Sequence, residues 1–284
     1  LCNLIKPDSG TVLINGQPVS DRTKPWIGVA PQENLLYPAL TCAENLNFFA
    51  QLYGLSRRQR RHRVQSCLAA VGLADRHACC PNILSGGMKR RLSMAIALVH
   101  EPKLLILDEP TTGLDIEARY EIWDLIRTLK NQGITILLTT HLLDEAERLC
   151  QRIGILKQGC IIAEGTLTEL VRVIPAQEIV IVRTDDELGA IACARRHGFT
   201  PRRYDNDLAF WLPYHLELKD IIACFEGVPL DSIARQSIRL EHIYLEVTQN
   251  DHQQRLSSNS LPLVAVENQR NSVENPAEKN GRKG

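Results

Sequence analysis

Apolar residues fall in two rhythms along this chain of 284 residues. Short unbroken runs, such as LLIL at 104–107 and ITILL at 134–138, alternate with stretches in which apolar positions recur every three or four residues. Such runs read as strands buried on both faces and such stretches as amphipathic helices, which together predict an α/β fold with a covered parallel sheet. Strands are expected at 11–15, 27–30, 104–107, 134–140 and 153–156, and helices at 41–53, 88–99, 116–131 and 142–150. Thr41 with Glu44, and Ser56 with Gln59, have the spacing of capping boxes, so each opens a helix. The helix opened by Ser56 carries Val64, Cys67, Leu68 and Val71 on one face, with Gly72 suited to its C′ position.

The pattern changes after Val173. Strands at 178–183, 208–212 and 238–240, with helices at 187–197, 218–225 and 241–247, predict a small α+β module. From about Asn250 the sequence is polar and free of aromatics, the composition of a disordered tail. At the other end, Leu1, Leu4 and Ile5 read as the last turn of a helix, and Lys6 to Gly10 as turn chemistry.

Composition narrows the function classes. Lys plus Arg and Asp plus Glu number 33 each, so no long-range field favours nucleic acid or an anionic surface. The basic run RRQRRHR at 57–63 opens a helix whose apolar stripe faces inward, and it reads as a solvated face. No apolar run approaches the roughly 18 residues of a membrane helix, and no leader is visible, so a reducing cytosolic setting is expected. The nine cysteines form no CxxC pairs; Cys67, Cys150, Cys193 and Cys224 sit on apolar faces and read as small hydrophobes rather than metal ligands.

Two stretches carry chemistry. KLLILDEP at 103–110 delivers two carboxylates at the carboxyl end of a buried strand, where α/β proteins bind ligands. Asp108 suits Mg²⁺ held through water, and Glu109 is placed to take a proton from an attacking water. In ILSGGMKRRLS at 83–93, Ser85, Gly86 and Gly87 stand directly before a helix. The glycines expose backbone N–H groups and the helix start adds partial positive charge, a phosphate-binding combination.

LSGGM, LLILDEPTTGLD and LLTTH, in this order, are similar to the nucleotide-binding subunit of ABC transporters. VAPQENLLYPALTCAENL, with Gln32, resembles that family's Q-loop leading into its helical subdomain; Gly113, Leu114 and Asp115 resemble its D-loop, and His141 its switch histidine. The resemblance spans about residues 1–170 and implies a P-loop NTPase-type sheet core with ATP and Mg²⁺ as cofactors. It implies that Asp108 binds Mg²⁺ through water, Glu109 polarises the attacking water and His141 contacts the γ-phosphate. Gln32 would touch Mg²⁺ or the water and report nucleotide state to a transmembrane permease. Ser85, Gly86 and Gly87 would grip ATP held by a second ATP-binding subunit in a head-to-tail dimer, with Asp115 coupling the two sites. Met88, where most members carry Gln, resembles the exporter branch that handles drugs, lipids or polysaccharides. RLEHIYLEVTQ at 239–249 resembles the closing helix of that branch's C-terminal domain.

The family's phosphate loop, GxxxxGK(S/T), occurs nowhere in the chain, and LCNLIKPDSG aligns with the end of the helix that follows it. The resulting expectation is an ATPase core at 1–172 lacking its first strands and phosphate loop, with a helical subdomain at about 41–100. An accessory domain at 173–249 and a tail at 250–284 follow. The chain is expected to work peripherally on the inner, cytoplasmic face of a membrane, without nucleic acid. A degenerate partner that only donates its signature loop is disfavoured by Glu109 and His141, which would serve its own ATP. An SMC or repair-type ATPase is disfavoured by the lack of heptad coiled coils.

Overall fold

A computed structural model describes residue 2 and residues 5–204 and 207–254. Ile5 lies in a bend, and the rest of the expected opening turn, Leu1 and Leu4, falls outside the described residues.

β1 (Leu13–Ile14) pairs with β2 (Gln17–Pro18) across Asn15 and Gly16, both at positive φ (51° and 75°). This is the left-handed two-residue turn that Asn-Gly adopts with little strain, and the expected strand at 11–15 is therefore a hairpin. β3 (Ile27–Ala30) follows, then α1 (Cys42–Leu52) and α2 (Arg57–Ala70). Both helices start at complete capping boxes, on Thr41 and Glu44 and on Ser56 and Gln59.

α3 (Gly86–Leu98) begins two residues before the expected start, so Gly86 and Gly87 form its first turn rather than a preceding loop. β4 (Leu104–Asp108), α4 (Ile116–Asn131) and β5 (Thr135–Thr139) complete a parallel sheet of order β3-β4-β5. Leu107 lies in register with Ala30 on one side and Leu138 on the other. One core joins Ala30, Leu105 and Leu107 to Leu92, Met94, Trp123 and Ile126 of α3 and α4. β3 presses closely on α3, since a Cβ on Gly28 would stand 2.2 Å from the Ala97 carbonyl oxygen.

The expectation of burial on both faces fails for β3 and β5. Ile136 and Leu138 pack on the helical core, whereas Val29 and Leu137 are 40% and 39% exposed. Alternate strand side chains point to opposite faces, and among the described residues the helices cover one of them here.

α5 (Leu143–Leu149) leads to β6 (Ile153–Lys157), which leaves the parallel sheet and pairs antiparallel with β7 (Cys160–Gly165). α6 (Leu167–Val171), β8 (Glu178–Arg183), α7 (Glu187–Arg196), β9 (Thr200–Tyr204), β10 (Asp207–Leu212), α8 (Leu218–Ala223) and β11 (Ser232–Gln236) follow. From β8 onward the order is β-α-β-β-α-β, closing an antiparallel sheet β11-β8-β10-β9.

β9 and β11 are edge strands reading TPRRY and SIARQ. Their polar residues hide the strand pattern, and Pro201 is tolerated because only one side pairs. The expected strand at 238–240 is displaced to β11, and Leu240 instead opens α9 (Leu240–Gln254). The α9 backbone continues past the expected end at 247, so residues 250–254 are helical rather than part of a disordered tail. Residues 255–284 lie outside the described residues. Helices α7 and α8 cover one face of the antiparallel sheet. On the other, Ile179, Ala209 and Trp211 meet Leu240 and Ile243 of α9 together with Ile153 and Ile155.

Candidate functional site

Strand register brings the acid pair to the end of β5. Asp108 pairs with Thr139, whose hydroxyl donates to Asp108 Oδ1. Asp108 Oδ2 has no protein partner among the described residues. The Glu109 N–H donates to the Thr139 carbonyl at 3.0 Å. Glu109 then turns into the left-handed region with φ 48°, uncommon for a residue with a side chain. The turn aims its carboxylate at the segment that follows β5. Glu109 Oε2 accepts from the Thr112 hydroxyl at 2.8 Å and lies 2.8 Å from His141 Nδ1. The His141 imidazole is 63% exposed and the Glu109 carboxylate 18%. Glu109 Oε1 has no protein partner among the described residues.

Arg90 locks the turn from the other side. It is 3% exposed and donates to the carbonyl oxygens of Pro110 at 3.0 Å, Asp108 at 2.7 Å and Gln32 at 3.5 Å, and also to that of Pro31. Burial lowers its pKa, and the Asp108 and Glu145 carboxylates oppose that shift. The guanidinium stays charged, because its ordinary value is so high. Arg90 thus ties the Gln32 loop to the acid-bearing turn while the Gln32 side chain remains exposed. Sequence reasoning missed Arg90 because MKRR reads as a solvated face.

The remaining candidates form a second group. Ser85 N-caps α3, its hydroxyl accepting the Met88 N–H at 3.2 Å. Asp115 N-caps α4, its Oδ1 accepting the Ala118 N–H at 2.8 Å. These two helix starts touch, since a Cβ on Gly87 would stand 2.7 Å from Ala118 Cβ and one on Gly86 3.5 Å from Leu114 Cδ2. The structure therefore brings Asp108, Glu109 and His141 together, with the Gln32 backbone beside them, and sets Ser85, Gly86 and Gly87 beside Asp115. Among the described residues no hydrogen bond joins the Ser85 or Asp115 side chain to the acidic group.

The donor set is all oxygen. Among the described residues no group of three or more His, Cys, Asp or Glu is placed to hold a metal alone. Asp108 with an unpartnered Oδ2 fits Mg²⁺, which takes one or two carboxylates and completes its shell with water and phosphate oxygens.

An acid pair thus closes the central strand of the parallel sheet and faces a histidine two residues past the next strand, and the solved structures that superpose on the chain have the P-loop NTPase fold. The family model described as ABC transporter matches residues 1–112. A Nod factor export ATP-binding protein I from Burkholderia orbicola (strain AU 1054) is 37% identical over 262 residues, which cover 89% of this chain and 83% of that protein. The linearmycin resistance ATP-binding protein LnrL of Bacillus subtilis (strain 168) is 42% identical over 173 residues, covering 60% of this chain. The match takes in 56% of LnrL, so the chain spans a little over half the length of several curated relatives it matches. Among solved structures, cbiO1 from Clostridium perfringens, part of the ABC transporter complex cbiONQ, superposes with a TM-score of 0.56 at 31% identity. That superposition covers 60% of this chain and 71% of the other. A dimeric ATP-binding cassette in a post-hydrolysis state, bound to ADP and Pi, gives 0.51 at 31% identity, covering 58% and 76%. The chain belongs to the ABC transporter family of ATP-binding proteins.

Proposed function

We propose that this chain supplies the water-activating, Mg²⁺-holding and signature-loop residues of the ATP-binding, ATP-hydrolysing subunit of an exporter. Residues 1–172 form its ATPase core, with a helical subdomain at about 41–100, and residues 173–249 form an accessory domain. The observation that carries the reading is the contact between Glu109 Oε2 and His141 Nδ1 at 2.8 Å. Thr112 and His141 hold one carboxylate oxygen and leave Oε1 to accept a proton from the attacking water, a contribution of about 10²–10⁴ in rate. When nucleotide is bound, the exposed His141 imidazole would contact the terminal phosphate. Asp108 would hold Mg²⁺, and Gln32 stands on the exposed loop that Arg90 ties to the same turn. When bound, MgATP supplies the phosphoryl group to be transferred and the divalent charge that neutralises its oxygens.

In this reading Ser85, Gly86, Gly87 and Asp115 serve the nucleotide of a second ATP-binding subunit, arranged head to tail. A membrane permease docks beside the Gln32 loop, where Leu35, Tyr37, Phe48 and Leu52 are exposed and the Tyr37 and Phe48 rings meet edge to face at 4.9 Å. An exposed apolar patch of this kind marks an interaction surface. No helix among the described residues is long and apolar enough to cross a membrane. In this reading the permease is a separate chain, and this one lies on the cytoplasmic face. Met88 and relatives named for Nod factor export and linearmycin resistance support export rather than import.

Phosphate release by the full-length protein with MgATP tests the assignment. Glu109→Gln is expected to retain nucleotide while turnover falls by about 10²-fold or more; unchanged turnover would remove Glu109 as the base.

A further inference from the structure

Glu145 is a buried carboxylate for which the proposed chemistry has no use. It is 0% exposed, on α5, four residues after His141. Its Oε1 accepts from the Thr111 hydroxyl at 2.7 Å and from the Trp123 indole N–H at 2.9 Å. Its Oε2 is buried with no hydrogen-bond partner among the described residues. Thr111 and Trp123 are themselves 0% and 1% exposed.

A lone buried carboxylate is costly, and an apolar side chain of similar size is often the more stable occupant of such a site. Glu145 shares its helix face with buried Leu149, so a leucine or methionine would suit the packing. Two buried polar side chains thus bracket residues 108–111, Arg90 through carbonyl oxygens and Glu145 through the Thr111 hydroxyl.

Contacts between the two chain segments are laddered. Thr139 bonds to Asp108 and receives the Glu109 N–H, His141 meets Glu109, and Glu145 meets Thr111. The Glu109–His141 contact is open to solvent, where water competes with it. The Thr111–Glu145 contact is dry, where a hydrogen bond is stronger than in water. Glu109 also holds a left-handed backbone. Such a conformation persists only when its surroundings over-determine it.

We infer that Glu145 is a positioning residue. Through the Thr111 hydroxyl it fixes the turn that carries Glu109, and through its own helix it fixes the loop that carries His141, so that it sets the contact between these two side chains. Its consequence for hydrolysis rests on the function proposed above; its consequence for geometry does not.

The test uses the full-length protein and three variants, Glu145→Gln, Glu145→Leu and Thr111→Val. Gln keeps the carbonyl acceptor for Thr111 and Trp123, Leu removes it, and Val deletes the hydroxyl with little change of volume. Amide exchange is read at Glu109 and across 139–145, with the Trp123 indole N–H resonance reporting the hydrogen bond and ATP turnover read as kcat against KM. Leu and Val are expected to speed Glu109 exchange about tenfold and to leave exchange in β8 and β10 unchanged. They are expected to lower kcat by about 10²-fold, as a misplaced group does, with KM nearly constant. Gln is expected to restore all three readouts.

If Leu does not fold, Val and Gln carry the comparison. Unchanged Glu109 exchange in Val, or exchange that rises uniformly over both sheets, would reduce Glu145 to a core acceptor and overturn the inference. Absent ATP turnover in the unsubstituted protein would instead defeat the proposed function, with the exchange result still standing.

Discussion

The Glu147 carboxylate accepts the Leu240 N–H at 3.1 Å and so caps the first turn of α9 from a helix 93 residues away in the chain. The same carboxylate lies 3.7 Å from the Arg239 guanidinium. Helix starts leave backbone donors unpaired and attract negative charge. Glu147→Ala is expected to cost about 1 kcal/mol, as the loss of a cap does. Hydrogen exchange should rise at Leu240 and the next two residues more than in the parallel sheet. An unchanged Leu240 amide would show that solvent caps the helix equally well.

Glu109 separates strain from chemistry. A left-handed backbone costs a residue bearing Cβ about 1–2 kcal/mol relative to glycine. Glu109→Gly is therefore expected to unfold at higher denaturant than Glu109→Ala, with phosphate release lost in both. Equal midpoints would mean that the turn relaxes once the carboxylate is gone.

The two glycines of α3 should behave differently. A Cβ on Gly87 meets Ala118 Cβ at 2.7 Å, and so Gly87→Ala must push α3 off α4, at about 1–3 kcal/mol. A Cβ on Gly86 finds ordinary contact with Leu114, and Gly86→Ala should leave stability unchanged or raise it by about 0.4–1 kcal/mol. Urea midpoints check both. Loss of turnover in a stable Gly86→Ala protein would assign that glycine to ligand contact rather than packing.

Acid should weaken the fold through His100 and His242. Burial pushes both imidazoles below the ordinary histidine value. His100 Nε2 donates to the Ile27 carbonyl at 3.0 Å and its ring stacks on Tyr53 at 3.7 Å. Its Nδ1 is buried with no partner among the described residues, so a second proton has no acceptor there. His242 Nδ1 accepts the Arg239 N–H at 2.9 Å and would have to give that bond up to become charged. Both rings take up a proton at lower pH in the folded protein than in the unfolded chain, where uptake begins below about pH 6.5. The unfolded state then binds more protons, so stability falls as pH drops through that value. The urea midpoint should be lower at pH 5.5 than at pH 7.5, and His100→Phe should shrink the difference; a pH-independent midpoint would contradict both assignments.

Much of the chain was legible because its signals are local. Thr41 and Glu44, or Ser56 and Gln59, complete their hydrogen bonds within three residues. β4 stands out as an apolar run, and the acids at its end follow in sequence. Edge strands β9 and β11 were not legible, since their residues alternate with charges and their pairing lies with distant strands. β6 has the apolar run of a buried strand, and only its antiparallel partner β7 shows that it leaves the parallel sheet.

The sequence by itself determined most of the helices, the capping boxes on Thr41 and Ser56, and the central strand with the acid pair at its end. Tertiary structure decided which groups face one another. It buried Arg90 and Glu145, put Glu109 into a left-handed turn opposite His141, and left Val29 and Leu137 uncovered. The physical reason is range. A cap or a strand's apolar alternation is settled by neighbours a few residues away, whereas burial of a charge depends on partners far along the chain, such as Pro31 for Arg90 and Thr111 for Glu145.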